Sequence, residues 1–307
     1  MKQSLSDRSV GALVGFLLRL LGSANPDRAS AFCGRWLRRI GPWLPQHRVG
    51  RANLRAAFPA RDDAWIEATL RDAWENLGRV AGEYVHLARI CDLRAETAET
   101  GRIRVDAATS ETFARLRDDD QPALVFGGHL GNWELPAMPA PAHGLASAVV
   151  YRMPNNRAIA AHIAAIRQGL MGRLIRARPE AVFEMATALE QGVHLGMLVD
   201  QHFSRGVEIT FFGRKCWANP TVARLARQFD CPVLGARAIR LPDGKFRLEA
   251  TAPLDLPRDP DGRINVAGAT QAINTVIEGW VREYPGQWLW FHRRWRQARP
   301  RRKRWST

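Results

Sequence analysis

The sequence has only four cysteines, Cys33, Cys91, Cys216 and Cys231, and no two of them form a CxxC pair. Structural zinc sites and redox motifs use closely spaced cysteines, and small secreted domains use dense sets of them. The wide spacing therefore argues against a zinc site and a disulfide framework. It favours a reducing compartment.

The chain also lacks an apolar run long enough to span a bilayer. Its most apolar stretch, residues 10–21, is short and contains Arg19, whereas a spanning helix needs about 20 apolar residues. No Ala-x-Ala-like cleavage site follows closely, so a signal peptide is not indicated. We predict that this segment lies in or against a membrane interface. The alternative is a buried core helix.

Acidic residues are in the minority. There are 45 Lys+Arg against 30 Asp+Glu, a formal net charge of +15. Such an excess favours nucleic acid, an anionic membrane surface, or acidic substrates and carriers as partners. Nearly all of the basic residues are arginines. This reflects either genomic base composition or selection for guanidinium groups, which bind phosphate through two parallel hydrogen bonds.

Residues 25–41 predict a second N-terminal helix, because Asn25-Pro26 is a typical helix start and Gly41 a typical stop. Its apolar residues recur at helical spacing, with arginines elsewhere on the helix. They are Ala29, Phe32, Cys33, Trp36, Leu37 and Ile40. A basic amphipathic helix with tryptophan is typical of a membrane interface, although a helix packed on a core gives the same stripe. We therefore divide the chain into interface helices at 1–45 and a domain at 46–307.

After a further helical pattern at 62–89, short apolar strands alternate with helices. The predicted strands are 123–126, 147–151, 194–199, 207–212, 232–239 and 246–251. The predicted helices are one bearing Ile159 to Leu174 on one face, and those at 180–191, 221–229 and 265–283. This order predicts an α/β fold with a central mixed sheet flanked by helices and a helical N-terminal region.

The most informative stretch is GGHLGNWE at 127–134. The paired glycines after an apolar strand permit a tight turn at His129. Five residues along one helix would place His129 and Glu134 about 140° apart. They can therefore meet only if His129 is on the turn and Glu134 on a following helix. A histidine oriented by a carboxylate is a general base. Without the glycine context, a structural histidine would be the better interpretation.

The sequence shows no GxSxG elbow and no cysteine in a nucleophile motif. A base without a protein nucleophile indicates direct transfer from an activated acyl donor to a substrate hydroxyl. The glycine-rich turn, including Gly128, can offer backbone amides to the oxyanion.

The 127–134 octapeptide resembles the catalytic His-x4-acid motif of the lysophospholipid-type acyltransferase superfamily, and in particular the late acyltransferases of lipid A biosynthesis. Further similar blocks follow in the family's order, and together they cover about residues 50–296. They lie at 53–54, 58–59, 151–156, 167, 196–201, 207–213, 221–226 and 284–295. The departures are the short N-terminal apolar segment, where relatives often have a longer anchor, and Asn219-Pro220 before the helix at 221.

The resemblance implies roles for individual residues. His129 corresponds to the base and Glu134 to its orienting carboxylate, whereas Arg167 and Asp200 match positions that line the active site. Arg167 is expected to stabilise the thioester oxyanion or to clamp a phosphate. The matching blocks also contribute Arg152, and Asn132, which is expected mainly to shape the turn.

His292, Arg293 and Arg294 are candidates for acceptor phosphates, or else form a solvated basic face. His194 and His202 flank Asp200 without the spacing of metal ligands. No metal and no tightly held cofactor is implied.

The expected activity is transfer of a long-chain fatty acyl group from acyl carrier protein or coenzyme A to a hydroxyl of a lipid A precursor. The expected place is the cytoplasmic face of an inner membrane, and the positive charge suits an acidic carrier, an anionic glycolipid acceptor and the membrane surface. An acyltransferase acting on another glycolipid or a lysophospholipid is one alternative. A non-enzymatic basic protein is another, although no nucleic-acid-binding module is recognisable and no nucleic-acid partner is expected.

Overall fold

The structure is a computed structural model that describes residues 5–91, 101–153 and 156–296. Two parts of the sequence singled out above lie outside these residues. They are positions 154–155 of the family block at 151–156 and the end of the predicted domain beyond residue 296.

Five α-helices lie in the described part of the N-terminal region. They are α1 (Leu5–Ser23), α2 (Pro26–Ile40), α3 (Pro45–Ala57), α4 (Asp63–Glu83) and α5 (Leu87–Ile90). The predicted cap of α2 is confirmed, because the side chain of Asn25 accepts a 2.9 Å hydrogen bond from the backbone N–H of Asp27. The predicted pattern at 62–89 is also helical, with a 3₁₀ turn between α4 and α5.

The central sheet has seven strands in the order β1-β9-β8-β2-β5-β3-β4. The strands are β1 (Ile103–Val105), β2 (Leu124–Gly127), β3 (Ser147–Tyr151), β4 (Arg173–Arg176), β5 (His194–Leu198), β8 (Val233–Arg240) and β9 (Phe246–Ala250). Neighbouring strands are parallel except β8 and β9, which are antiparallel. Strands β6 (Val207–Phe211) and β7 (Arg214–Ala218) form a separate antiparallel pair.

Among the residues that the structure describes, six α-helices follow the N-terminal region. They are α6 (Ala107–Asp118), α7 (Pro139–Ala142), α8 (Arg157–Arg167), α9 (Ala181–Glu190), α10 (Thr221–Phe229) and α11 (Val266–Glu283). The fold class is confirmed: an α/β fold with a mixed sheet flanked by helices and a helical N-terminal region.

One helix prediction was wrong at its C-terminal end. Leu174 was placed on the helix that begins near Ile159, but α8 ends at Arg167 and Leu174 lies in β4. Gly169 and Gly172, with φ of 81° and 69°, turn the chain between them. The predicted strand at 207–212 is confirmed as β6, which pairs with β7 outside the central sheet.

Helix α2 packs on α4 through small residues. Gly34 is buried, and a Cβ on Gly78 would lie 2.3 Å from the carbonyl oxygen of Cys33, so the two backbones are in close contact. Ala29 of the predicted apolar stripe faces inward, but the large side chains Phe32 and Trp36 are 54% and 55% exposed. The two aromatic side chains of the stripe therefore do not belong to a buried core.

Further apolar side chains are exposed in the N-terminal region. They are Phe16, Leu17 and Leu20 of α1, and Trp43 and Leu44 after α2. We call them, together with Phe32 and Trp36, the N-terminal apolar surface. None of the helices in the described part of the chain is both long and apolar enough to cross a membrane.

Candidate active site

The turn after β2 places His129 at the end of the central sheet. A Cβ on Gly128 would lie 3.3 Å from Oδ2 of Asp200, so the glycine lets this carboxylate approach the backbone. Gly131 has a φ of +58°, and a Cβ there would lie 1.8 Å from the carbonyl oxygen of Ala238. The glycines of the motif therefore allow the turn to pack directly against its neighbours.

Asp200, not Glu134, is the hydrogen-bonding partner of His129. Nδ1 of His129 lies 2.7 Å from Oδ1 of Asp200, and the backbone N–H of His129 donates a 2.7 Å hydrogen bond to Oδ2. Asp200 follows β5, the strand beside β2, and its side chain is fully buried. The expected pairing of His129 with Glu134 is thus replaced by a pairing across two neighbouring strands.

Glu134 pairs with Arg167. Nε and Nη2 of Arg167 donate hydrogen bonds of 2.9 and 2.6 Å to the two oxygens of the Glu134 carboxylate. The Arg167 guanidinium also lies over the rings of Tyr84 and Tyr151, at 5.8 and 5.7 Å from their centroids. Glu134 precedes a short 3₁₀ helix at Leu135–Ala137 and not the predicted α-helix start. Arg167 is consequently held in one position beside His129, and it is not a solvated residue.

A third donor holds Asp200 in place. Nε1 of Trp288 donates a 2.8 Å hydrogen bond to Oδ2 of Asp200, and both side chains are buried. The backbone N–H of Leu289 donates to the carbonyl oxygen of His129 at 3.0 Å. The C-terminal family block therefore packs directly behind the histidine. Sequence reasoning included Trp288 in this block but assigned it no role.

Charge and burial act in opposite directions on the His129–Asp200 pair. Burial alone would lower the pKa of His129, but the charge of Asp200 and its hydrogen bond raise that pKa above its ordinary value. Burial would raise the pKa of Asp200, but the charge of His129 and the hydrogen bonds from it hold that pKa well below its usual range. Asp200 is therefore ionised, and because a carboxylate only accepts, Nδ1 of His129 carries the shared proton.

The other ring nitrogen of His129 is available for chemistry. Nε2 lies 3.5 Å from the amide nitrogen of Gln201, which is too far for a strong hydrogen bond. With a proton on Nδ1, neutral His129 presents an unprotonated Nε2. The residue lines a cavity, so this nitrogen can accept a proton from a bound substrate.

Asn132 does not contact this cavity, contrary to its inclusion among the substrate-binding candidates. Its side chain is fully buried, its amide donates a 2.8 Å hydrogen bond to Glu83, and its Oδ1 accepts one from the backbone N–H of Glu134. Glu83 is itself buried and also binds Arg240 of β8 and Ser30 of α2. Asn132 thus fixes the turn to α2, α4 and the sheet.

The C-terminal basic residues do not form the solvated face or the phosphate site that the sequence suggested. Arg294 is fully buried and donates hydrogen bonds to Asn274 and to the carbonyl oxygen of Trp217. Burial lowers the pKa of His292 to about 4. Only Arg293 of this trio is exposed.

The cavity beside His129 has a volume of about 750 Å³. At one end it is lined by His129, Gly128, Glu134, Arg167 and the exposed Arg152. Elsewhere its wall is largely apolar and is built from the sheet and from the segments that cover it. Examples are Val125, Val149, Leu234, Leu248, Phe113 and Met171. A volume of this size suits a ligand of many heavy atoms, and an apolar wall suits a hydrocarbon.

Comparison with known families is consistent with this arrangement. The model of the family described as bacterial lipid A biosynthesis acyltransferase matches residues 3–297, which is nearly the whole chain. The comparison with curated proteins found no match.

Proposed function

Because the chain belongs to the bacterial lipid A biosynthesis acyltransferase family, we propose that it transfers a long-chain fatty acyl group to a hydroxyl of a lipid A precursor. The donor is a thioester of acyl carrier protein or coenzyme A. The observation that carries the proposal is the pairing of His129 with the buried Asp200 at one end of a largely apolar cavity.

In this mechanism His129 is the general base. Nε2 takes the proton of the acceptor hydroxyl while the hydroxyl oxygen attacks the thioester carbonyl carbon. Asp200 stabilises the resulting imidazolium through Nδ1. When the tetrahedral intermediate collapses, the C–S bond breaks and the imidazolium returns the proton to the departing thiolate. The products are an ester and a free thiol, and His129 is neutral again.

Arg167 supplies positive charge at the same end of the cavity. Glu134 uses two of the N–H groups of the guanidinium and fixes its plane, so the cation is oriented before substrate binds. A preorganised donor of this kind stabilises the oxyanion of the intermediate, or a phosphate of the acceptor. Glu134 therefore acts through Arg167. Arg152, exposed at the same end, is a second group for an anionic substrate.

The apolar part of the cavity receives the acyl chain. Each buried methylene contributes about 0.8 kcal/mol, so a long chain can supply much of the binding energy of the donor. The chain extends along the sheet, while its carbonyl stays at the polar end beside His129.

The N-terminal apolar surface brings the enzyme to its lipid substrate. Phe32 and Trp36 point outward on a helix that also exposes Arg28, Arg35 and Arg39. Aromatic side chains beside arginines are typical of a helix lying in an anionic membrane interface. Residues 1–45 would thus attach the domain at 46–307 to the cytoplasmic face of the inner membrane.

Lipid mass spectrometry tests the activity. Membranes from a strain that lacks the gene should contain a lipid A precursor that is lighter by one acyl group. Purified protein with an acyl thioester should restore that group, as an ester, to the isolated precursor. Unchanged lipid A, or acylation of a lysophospholipid in preference to the precursor, would contradict the proposed acceptor.

A further inference from the structure

Gly196 leaves a gap in the floor of the cavity. It lies in the middle of β5, on the same face as His194 and Leu198, and all three residues line the cavity. β5 is a central strand between β2 and β3, yet Gly196 is only partly buried. Its exposure is therefore toward the cavity.

Neither packing nor backbone geometry requires a glycine at this position. An ideal Cβ on Gly196 would meet nothing closer than 3.8 Å, and the nearest atoms are the carbonyl oxygen of Ala148 and a methyl of Val149. Gly196 also does not have a positive φ. In contrast, a Cβ on Gly127, in the next row of the sheet, would lie 3.1 Å from Leu198. A glycine inside a strand weakens it and often marks close approach of a ligand.

We infer that Gly196 sets the length of the acyl chain that the cavity accepts, because the chain passes over the space where a side chain would stand. This inference rests on the proposed function, since it assumes that the cavity holds the acyl group. The chain enters at the end that holds His129 and passes the row of Leu198. It then crosses Gly196 and continues toward His194 and Ser147, which line the cavity where β5 and β3 begin.

The spacing of residues along β5 gives the number of acyl carbons that lie beyond Gly196. Gly196 lies two residues from Leu198 and two from His194, and each step of two residues is about 7 Å along a strand. An extended alkyl chain advances about 1.25 Å per carbon, given bonds of about 1.5 Å and near-tetrahedral angles. The cavity beyond Gly196 therefore holds about five carbons. A large side chain at position 196 would exclude them.

The energetic consequence is steep. Each methylene that leaves its buried position weakens binding by about a factor of four. A donor whose last carbons lie beyond Gly196 should therefore lose most of its advantage over a shorter donor once the gap is filled.

The test uses Gly196→Leu and Gly196→Ala in the full chain, with decanoyl, lauroyl, myristoyl and palmitoyl donors in equal amounts. Mass spectrometry of the product gives the distribution of chain lengths. The leucine variant should shift the preferred chain by about four carbons to the shorter side, with at least a tenfold fall in the long-to-short ratio. Alanine should shift it less, in the same direction. Gly279→Leu is the matched control, because Gly279 lies on α11 with open space around it, and it should leave the distribution unchanged.

Two further measurements separate this inference from the proposed function. Displacement of a fluorescent fatty acid by saturated fatty acids of increasing length reports the cavity without any transfer, and it should show the same shift. The melting temperature of Gly196→Leu should equal or exceed that of the parent, because the side chain fills empty space. A folded leucine variant with unchanged length preference in both assays would overturn the inference. A shifted affinity in a protein that transfers no acyl group would support the inference while contradicting the proposed function.

Discussion

The indole N–H of Trp288 and the imidazole of His129 bind the same carboxylate: Trp288 donates to Oδ2 of Asp200 at 2.8 Å, and Nδ1 of His129 lies 2.7 Å from Oδ1. Because the backbone N–H of His129 also donates to Oδ2, Asp200 is fixed by three contacts. The orientation of His129 thus depends on a tryptophan that lies 159 residues further along the sequence.

Trp288→Phe should lower kcat with little effect on KM. The change removes a hydrogen bond to a charged group, worth about 1.5–3 kcal/mol, and lets the carboxylate move, so we expect kcat to fall by about tenfold. Trp290→Phe is the control, since Trp290 is equally buried but donates to the backbone carbonyl of Pro285. Equal losses of kcat in both variants would show that Trp288 acts only through stability.

The pH dependence distinguishes the two candidate orienting carboxylates. Neutral His129 is the active base and its pKa is raised. We therefore expect kcat/KM to rise with pH, with the midpoint of the rise above about pH 6.5. Asp200→Asn removes the main group that raises this pKa and leaves the lowering effect of burial. The rise of kcat/KM should therefore move to lower pH, while the maximum kcat/KM at high pH falls by about 10²–10⁴-fold.

In Glu134→Gln the pH midpoint of kcat/KM should stay closer to that of the parent enzyme, because Glu134 binds Arg167 and contributes less to the pKa of His129. A larger shift of this midpoint in Glu134→Gln than in Asp200→Asn would indicate that Glu134 orients His129.

Gly131→Ala should destabilise the fold by about 2–4 kcal/mol, because it combines a positive φ with a clash against the Ala238 carbonyl. Gly144→Ala provides the comparison. Gly144 has a φ of +78° but open space around it, so its cost should be only about 1 kcal/mol. Urea unfolding of both variants measures the difference. Equal costs would mean that the turn tolerates the alanine methyl group.

Membrane attachment should depend on the N-terminal apolar surface. Replacing Trp36 and Trp43, which are 55% and 80% exposed, by alanine should reduce cosedimentation with anionic vesicles by at least about tenfold, since each aromatic side chain contributes more than 1 kcal/mol when buried. High salt should release part of the unmodified protein, because each arginine contributes about 1 kcal/mol that salt screens.

Phe183→Ala removes another exposed aromatic side chain, 74% exposed on α9, and should leave vesicle binding unchanged. Equal losses for Phe183 and for the tryptophan pair would indicate non-specific adsorption and not attachment through α1 and α2.

Local signals predicted much of the fold. The bounds of β3 and α10 coincide with the predicted ones, because the apolar runs there are bounded by clear turn residues. The strands β1, β4 and β7 and the helices α3, α6 and α7 were not predicted. Leu174 was misplaced because the brief strand β4 continues the apolar rhythm of the helix before it. The packing of α2 against α4 was not predicted, since the inward face uses small residues such as Ala29 and Gly34.

The site was predicted in its residues but not in its pairings. His129, Glu134, Arg167 and Asp200 were all named from the sequence, and the structure brings them to one end of the sheet. Which carboxylate binds His129 depends on the parallel pairing of β2 with β5. That pairing is a long-range property, so a spacing argument within one motif could not determine it.

The central claim is that His129 is the base for acyl transfer, and a paired histidine substitution tests it most directly. His129→Ala and His143→Ala are compared by the initial rate of acyl transfer from a purified thioester donor to the lipid A precursor in detergent. Both histidines line the cavity, but only His129 is hydrogen-bonded to a buried carboxylate. We predict that His129→Ala folds normally and loses about 10²–10⁴-fold in rate, while His143→Ala stays within a few-fold of the parent. A His129→Ala enzyme that keeps at least half of the parent rate would contradict the account.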